Sequence, residues 1–413
     1  MNLFAHQQKI VNDDPKRTGL WLGTGGGKTR IALSLAEGKT LVICPKTQKE
    51  DQNWERELIK MGIKLDLHVI SKETFRRDYK SIGAFDTVIV DEAETCLGVT
   101  PNTRQQNRIT IPKASQLFDR LQEFIQNTAP ERLYLCTATI TRSPMTVWAA
   151  AKLLGYDWNW YEWRDTFYQE LPIPGRKIYA VKSGEHQKQK LAEKVREIGY
   201  VGRLEDWFDV PDQTFKNDYV ELTAQQKQAI NEIKIEYPDP IVAIGKRHQV
   251  ENGVLKGDEF SSSQTFKSAK TDRILQYAAE FPKLIIFAKY TEQIKAYEKL
   301  LNKDYTVYTL TGETKDRATL FQKLEAADNA ILIAQAQISA GWEWKACPAM
   351  VFASRSYSIA DYIQGQGRIQ RTDAIKKNLY INLITRGGID EALHKSIENK
   401  KDFSERVYAK NQV

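Results

Sequence analysis

Residues 22–29, Leu-Gly-Thr-Gly-Gly-Gly-Lys-Thr, have the composition of a loop that closes around phosphate. Backbone amides approaching a phosphate leave no room for Cβ atoms, and glycine takes positive φ without steric cost, which suits Gly23, Gly25, Gly26 and Gly27. Lys28 is placed to reach the β and γ phosphates, and the Thr29 hydroxyl to sit on Mg2+. Leu22 stands where the strict G-x-x-x-x-G-K-[ST] pattern has its first glycine. Thr24, Gly25, Gly26, Gly27, Lys28 and Thr29 therefore carry the ATP-binding chemistry by themselves. Such a loop specifies a nucleotide but not a reaction.

The reaction is read from two further stretches. Val88–Glu94, VIVDEAE, is an apolar run that delivers adjacent carboxylates at its end. Asp91 is placed to hold Mg2+ and Glu92 to polarise an attacking water. Far along the chain, Tyr362–Arg371, YIQGQGRIQR, presents Gln364, Arg368 and Arg371. The two arginines are three positions apart, so on a helix they share a face and can serve one γ-phosphate. The expected catalytic set is Lys28, Glu92, Arg368 and Arg371.

The elements that must position these groups form two similar series. From residue 20 to 140 the runs LWLG, TLVICP, TVIVDEAE and RLYLCTAT alternate with helix-like stretches such as TRIALSLAEG and NWERELIKMG. Short β-rich runs separated by helical segments predict a mostly parallel sheet flanked by helices. A second series, NDYVEL, KLIIFAK, YTVYTL, NAILIAQ, AMVFAS and LYINLIT, repeats the pattern. The expected organisation is an α/β domain over 1–155, an aromatic extension and linker over 156–210, and a second α/β domain over 211–413. A chain of 413 residues has room for two cores, since single cores stop growing at about 250–300 residues.

Composition excludes some classes and only weakly favours others. Sixty basic against fifty-three acidic residues leave +7, a small excess for this length, so charge alone does not make this a nucleic-acid protein. Cys44, Cys96, Cys136 and Cys347 lie far apart without CxxC spacing and are expected as reduced core thiols. No start resembling a secretory signal and no apolar window of about 18 residues is seen, so a cytoplasmic location, on the nucleoid or in a nucleus, is expected.

Taken together, these residues resemble the superfamily 2 helicases and translocases over nearly the whole chain. The resemblance implies two RecA-like domains with an ATP cleft between them. Gln7 in AHQQ looks like the residue that reads adenine, TGGGKT like motif I, and Ile43–Thr47 like motif Ia. Thr137–Thr139 looks like motif III, Ile285–Lys289 like motif IV, Ser339–Trp344 like motif V, and QGQGRIQR like motif VI. By the same resemblance Gln364 joins the ATP site, Thr137, Thr139 and Gly341 couple nucleotide to movement, and Lys46, Ser71, Thr139 and Ser339 lie along the nucleic-acid track.

Within the superfamily the chain is similar to the Swi/Snf branch of double-stranded DNA translocases. The similarity is carried by CPKTQKEDQNWERE with Trp54 and Glu57, by TATITRSPMTVWAAAKLLG, by WYEWRDTFYQ, and by Ser268 with Lys270 before motif IV. TGETKDRATLFQKLE and LITRGGIDEALHKSIENKKDF also follow that branch. The chain departs from it at Glu94, where histidine is usual, and at SAGWEWKA, which lacks the Gly-Leu-Asn-Leu of motif V.

The expected activity is therefore that of an ATP- and Mg2+-dependent motor on nucleic acid, double-stranded DNA first, with single-stranded DNA or RNA as other substrates. A strand-separating helicase and an ATP-gated loading protein are the alternatives. Two aromatic groups remain open. Trp158, Trp160, Tyr161, Trp163, Phe167 and Tyr168 read either as core or as a base-stacking surface, and Trp342 with Trp344 either as packing or as a wedge. Asn102–Lys113 is polar and basic and reads as a loop.

Overall fold

Apolar runs bounded by glycine, proline or charged residues become strands in both halves of the chain. The computed structural model describes residues 3–106, 109–171, 177–208, 213–257, 262–338, 342–344, 346–369 and 378–398. The chain divides into two units, Met1–Phe208 and Asp209–Val413.

The strands of the first unit are β1 (Arg17–Leu22), β2 (Lys39–Cys44), β3 (Asp66–Ser71), β4 (Thr87–Asp91), β5 (Val99–Gln106), β6 (Ile109–Ala114), β7 (Arg132–Cys136), β8 (Tyr168–Leu171), β9 (Ile178–Val181) and β10 (Gly199–Gly202). Six of them form one sheet in the order β10-β1-β7-β4-β2-β3, with every neighbouring pair parallel. Parallel sheets are covered on both faces, and successive residues of these strands enter different cores. Leu41, Ile43, Val88, Val90, Leu133 and Leu135 pack with Phe118, Leu121 and Trp148. Val42, Cys44, Ile89, Tyr134 and Cys136 pack with Ile31, Leu33 and Trp54.

The aromatic segment belongs to the first of these cores. Trp160, Trp163, Phe167 and Tyr168 are buried in it, Trp160 meets Trp148 edge to face at 5.5 Å, and only Tyr161 of the group is well exposed. The residues expected as extension and linker thus fill the first unit as far as Phe208, with β10 as a sheet edge. Asn102–Lys113 differs from expectation: its described residues, 102–106 and 109–113, lie in the antiparallel strands β5 and β6, which pair Gln106 with Ile109 and Arg104 with Ile111. Pairing with the partner strand outweighs the polarity that suggested a loop.

The second unit contains β11 (Thr214–Val220), β12 (Val254–Leu255), β13 (Gln264–Thr265), β14 (Lys283–Ala288), β15 (Val307–Leu310), β16 (Ala330–Gln335), β17 (Ala349–Phe352) and β18 (Leu379–Thr385). Its six-stranded sheet runs β11-β18-β17-β14-β16-β15, again parallel throughout. Trp342 and Trp344 are core residues here, packed with Phe287, Leu332 and Phe352, and Trp342 Nε1 donates to Ile338 O at 2.7 Å. Burial of these indoles removes the wedge reading, because a wedge must stand in solvent to enter a duplex.

A buried polar network also sits in this unit. Lys270 Nζ donates to Asp390 Oδ2, Asn252 Oδ1 and Ala353 O, each at 2.6 Å. His248 Nε2 lies 3.0 Å from Asp390 Oδ1 and its Nδ1 lies 2.7 Å from Tyr290 Oη. Glu251 accepts from the amides of Ile389 and Asp390, which open the helix Ile389–Glu398. The four cysteines are buried and free, and burial pushes the Cys44 and Cys347 thiols up to about 12. Among the described residues no helix is long and apolar enough to cross a membrane.

Candidate active site

The glycine loop follows β1 directly and opens the helix Lys28–Leu35. Gly25 and Gly27 both take φ +80°, in the left-handed region. A Cβ on Gly27 would stand 2.1 Å from Gln7 Nε2, and one on Gly26 would stand 2.9 Å from the Leu22 side chain. The loop is thus a cradle of bare backbone at a helix N-terminus, where amides and dipole favour an anion. Lys28 Nζ rests on the carbonyl oxygens of Leu22 and Gly23, at 2.8 and 3.3 Å. Its charge meets backbone carbonyls and no carboxylate among the described residues, which leaves it suited to a polyanion.

Next to this strand in the sheet lies β7, and beyond it β4, which ends in Asp91. Asp91 is buried; its Oδ2 accepts from Trp54 Nε1 at 3.3 Å and its Oδ1 from the Glu92 amide at 3.0 Å. Burial first, and the neighbouring Glu92 charge second, push its carboxyl up to about 6, against the pull of Lys72 and Lys28. Glu92 takes a left-handed backbone at φ 46°, ψ 49°. For a residue with a Cβ this costs about 1–3 kcal/mol, a strain found where a side chain is aimed for function. The strained peptide is held by Lys72, whose Nζ donates to Glu92 O at 2.7 Å and to Thr95 Oγ1 at 2.5 Å.

Glu94 is buried, with Oε2 lacking a hydrogen-bond partner among the described residues. Burial and then the Glu92 charge push it up to about 7, while a hydrogen bond with Thr137 opposes the shift. A carboxyl that holds its proton near neutrality can donate, as a neutral histidine would at this position. Thr137 is fully buried and its Oγ1 accepts from the Thr139 amide at 3.1 Å. Thr139 keeps a buried hydroxyl without a partner among the described residues.

The other expected residues are placed as follows. Gln7 is buried against the loop. Thr24 and Thr29 are half-buried, in the loop and in the first turn of the helix after it. Lys46 is exposed and pairs with Glu50 at 3.5 Å. Ser71 is buried and its hydroxyl caps the helix Lys72–Asp78 by accepting from the Thr74 amide at 3.1 Å. In the second unit Gln364 lies on the helix Ile359–Gln366. Arg368 follows it, with Nε donating to Gln364 O at 2.8 Å and Nη1 donating to Trp342 O. Ser339, Gly341 and Arg371 lie outside the described residues.

The structure adds two positioning residues that the sequence did not assign. Trp54 was visible as part of a W-x-x-E helix, but not its bond to Asp91, 37 positions away. Lys72 gave no signal, since nothing local ties it to Glu92.

Comparison with known proteins gives one family and a shared fold. Residues 267–373 match the helicase conserved C-terminal domain. No curated protein sequence matches the chain. Among solved structures, the Hef helicase domain of Pyrococcus furiosus is similar with a TM-score of 0.52 at 14% identity, over 96% of this chain and 98% of that one. The SWI2/SNF2 ATPase core of Sulfolobus solfataricus, solved in complex with double-stranded DNA, has a TM-score of 0.40 at 18% identity, over 97% and 91%. The chain thus carries a match to the helicase conserved C-terminal domain at residues 267–373 and shares the fold of the Hef helicase domain over nearly its whole length.

Proposed function

We propose that this protein is an ATP-dependent nucleic-acid motor that moves along double-stranded DNA. The observation that carries the reading is the bare glycine cradle on one strand end, with a lysine that meets no carboxylate among the described residues, two strands from a strand end that delivers Asp91 and a strained Glu92. ATP with Mg2+, when bound, supplies a γ-phosphoryl group open to attack by water.

The residues present fit that group. The loop amides and Lys28 would bind the phosphate oxygens, and the Thr29 hydroxyl and Asp91 carboxylate would hold the metal. Asp91 enters that role ionised, because a nearby divalent charge overcomes the burial that raises its carboxyl. Trp54 and the Glu92 amide each donate to one Asp91 oxygen, which fixes the orientation of the carboxylate. Glu92 accepts the proton of the attacking water at a carboxylate oxygen, in an orientation set by its own backbone and by Lys72. We assign Arg368 and Arg371 to the γ-phosphate, Gln364 to the nucleotide, and Thr137, Thr139 and Gly341 to coupling. Lys46, being exposed, suits a phosphate of the nucleic-acid backbone. Ser71, whose hydroxyl serves as a helix cap, would reach the track through its surroundings rather than its side chain. Thr139 and Ser339 complete the proposed track.

The preference for duplex DNA rests on the Swi/Snf-like stretches of the sequence. The assignment of the loop is tested by Lys28→Ala. Loss of a charge-assisted contact worth about 1.5–3 kcal/mol is expected to weaken ATP binding roughly 10- to 100-fold. Equilibrium titration of the purified chain checks this, and unchanged affinity would remove the loop from the site.

A further inference from the structure

The sheet of the second unit ends in a strand that has a partner on one side only. Among the described residues β11, with the sequence TFKNDYV, pairs with β18 and with no other strand. The Thr214 amide donates to Asn378 O and Val220 O accepts from the Arg386 amide, so the even-numbered residues turn their backbone groups toward β18. Residues between them turn theirs the other way. Phe215, Asn217 and Tyr219 therefore hold N–H and C=O groups outward, a template for a further strand. Their side chains are open as well, with Phe215 48% and Tyr219 37% exposed.

A charge on such an edge commonly keeps other strands away. Lys216 is such a charge, but Asp218 stands two positions on, and the pair makes the strand complementary to itself. When a second copy of β11 runs antiparallel about a two-fold axis at Asn217, Phe215 falls opposite Tyr219, Lys216 opposite Asp218, and Asn217 opposite its twin. The outward-facing residues then meet one another, so they form the hydrogen-bonded pairs of an antiparallel ladder. Lys216 and Asp218 form the non-hydrogen-bonded pairs, whose side chains come closer, and opposite charges meet there twice. Moving the axis by one residue would set Lys216 against Lys216 or Asp218 against Asp218, with backbone groups that already face β18.

The side chains agree with this register. Lys216 meets no carboxylate of its own copy among the described residues; its Nζ lies over the Tyr277 ring at 5.1 Å. Asp218 is held on the same face, its Oδ2 accepting from Tyr277 Oη at 2.7 Å with Arg273 Nε 3.4 Å away. On the opposite face Phe215 stacks on Tyr380 with centroids 5.0 Å apart, and the Arg386 guanidinium lies over Tyr219 at 4.9 Å. Each Phe215–Tyr219 pair across the axis would extend those stacks.

We propose that β11 is a self-association edge, through which two copies of this chain join antiparallel about Asn217 and make one continuous sheet of their second units. One strand of 7 residues lies at the small end of protein interfaces, where association is weak and transient, so the dimer forms and dissolves with concentration.

The test is sedimentation velocity of the full chain from nanomolar to high micromolar concentration, for wild type, Lys216→Glu and Asn217→Pro, with thermal melting of each to confirm the fold. Wild type should pass from monomer to dimer as concentration rises. Lys216→Glu, an exposed change that sets two like-charge pairs across the axis, should weaken association about tenfold or more. Asn217→Pro removes an outward N–H, which an edge strand tolerates, and should abolish the dimer. If Asn217→Pro melts early, Lys216→Glu carries the comparison. The register is read by mild oxidation of variants with one added cysteine, since the four native ones are buried. Asn217→Cys should cross-link two copies, because directly opposed Cα atoms about 5.5 Å apart are within disulfide reach. Phe215→Cys should not, since its twin lies four residues along the strand, about 13 Å away. A wild type that stays monomeric throughout leaves the edge to a strand of another protein and overturns the proposal. So does a dimer that Lys216→Glu and Asn217→Pro leave unchanged, or cross-linking of Phe215→Cys as readily as Asn217→Cys.

Discussion

Glu92→Gln is expected to bind ATP as wild type does and to hydrolyse it about 10²- to 10⁴-fold more slowly. The carboxamide has the shape of the carboxylate, and the backbone that aims it is unaffected. The left-handed φ of 46° stays anchored by Lys72 at the Glu92 carbonyl. What is lost is an oxygen that can take a proton from water. Removing that negative charge also takes away one of the causes that raise the Asp91 carboxyl, and burial remains. Single-turnover hydrolysis and ATP titration on the same preparation separate the two effects. Normal turnover would sink the assignment of Glu92, and a parallel loss of binding would move it from chemistry to the architecture of the loop.

Lys270→Met should destabilise the second unit by about 3–5 kcal/mol, because it strands the Asp390 charge in a buried site. Burial by itself raises the Asp390 carboxyl; the Lys270 charge and the hydrogen bonds from His248 and Lys270 overcome it and hold the group far below the usual carboxylate range. His248 does not replace the lost cation, since burial pulls it down to about 4 despite the Asp390 hydrogen bond. A depressed carboxylate stabilises the fold above its unfolded pKa of about 3.9, and that stabilisation is lost as pH falls toward the folded value. The variant's deficit is therefore largest near neutrality and shrinks on acidification, as Asp390 takes up the proton that Lys270 no longer spares it. Chemical denaturation at pH 7 and pH 4 measures both. A deficit below about 1 kcal/mol at pH 7 would mean that the pair is solvated in solution and worth no more than a surface bridge. Adding Asp390→Asn should restore part of the loss, because the stranded charge is then gone.

How far the sequence reveals this molecule depends on how local each cause is. The parallel sheets were legible because runs such as VIVD and IIFA are apolar throughout, which a strand covered on both faces requires. The loop was legible because glycine, lysine and threonine are adjacent in the chain and in space. The hairpin Val99–Ala114 was missed because its polar residues outnumber the β-branched ones, and pairing is decided by the partner strand. Trp342 and Trp344 could not be assigned because burial of a residue outside any strand or helix follows from what packs over it. His6 stacks on Trp207, 201 positions away, and no pattern in either neighbourhood announces the other. The role of Lys72 was hidden for the same reason. Ser71, by contrast, shows that one residue can fit a family motif and a helix cap equally well in sequence, while its bonds show the cap.

The central claim is that hydrolysis at the glycine loop is driven by nucleic acid. Its most direct test is the ATP hydrolysis rate of the purified chain alone and with double-stranded DNA, single-stranded DNA or RNA, each at about 50 and 200 mM salt, a range over which phosphate contacts weaken steeply. The account predicts strong stimulation by duplex DNA that fades at the higher salt. Stimulation by single strands or RNA alone would contradict the duplex translocase and favour strand separation, and a rate indifferent to all three would contradict a nucleic-acid motor altogether.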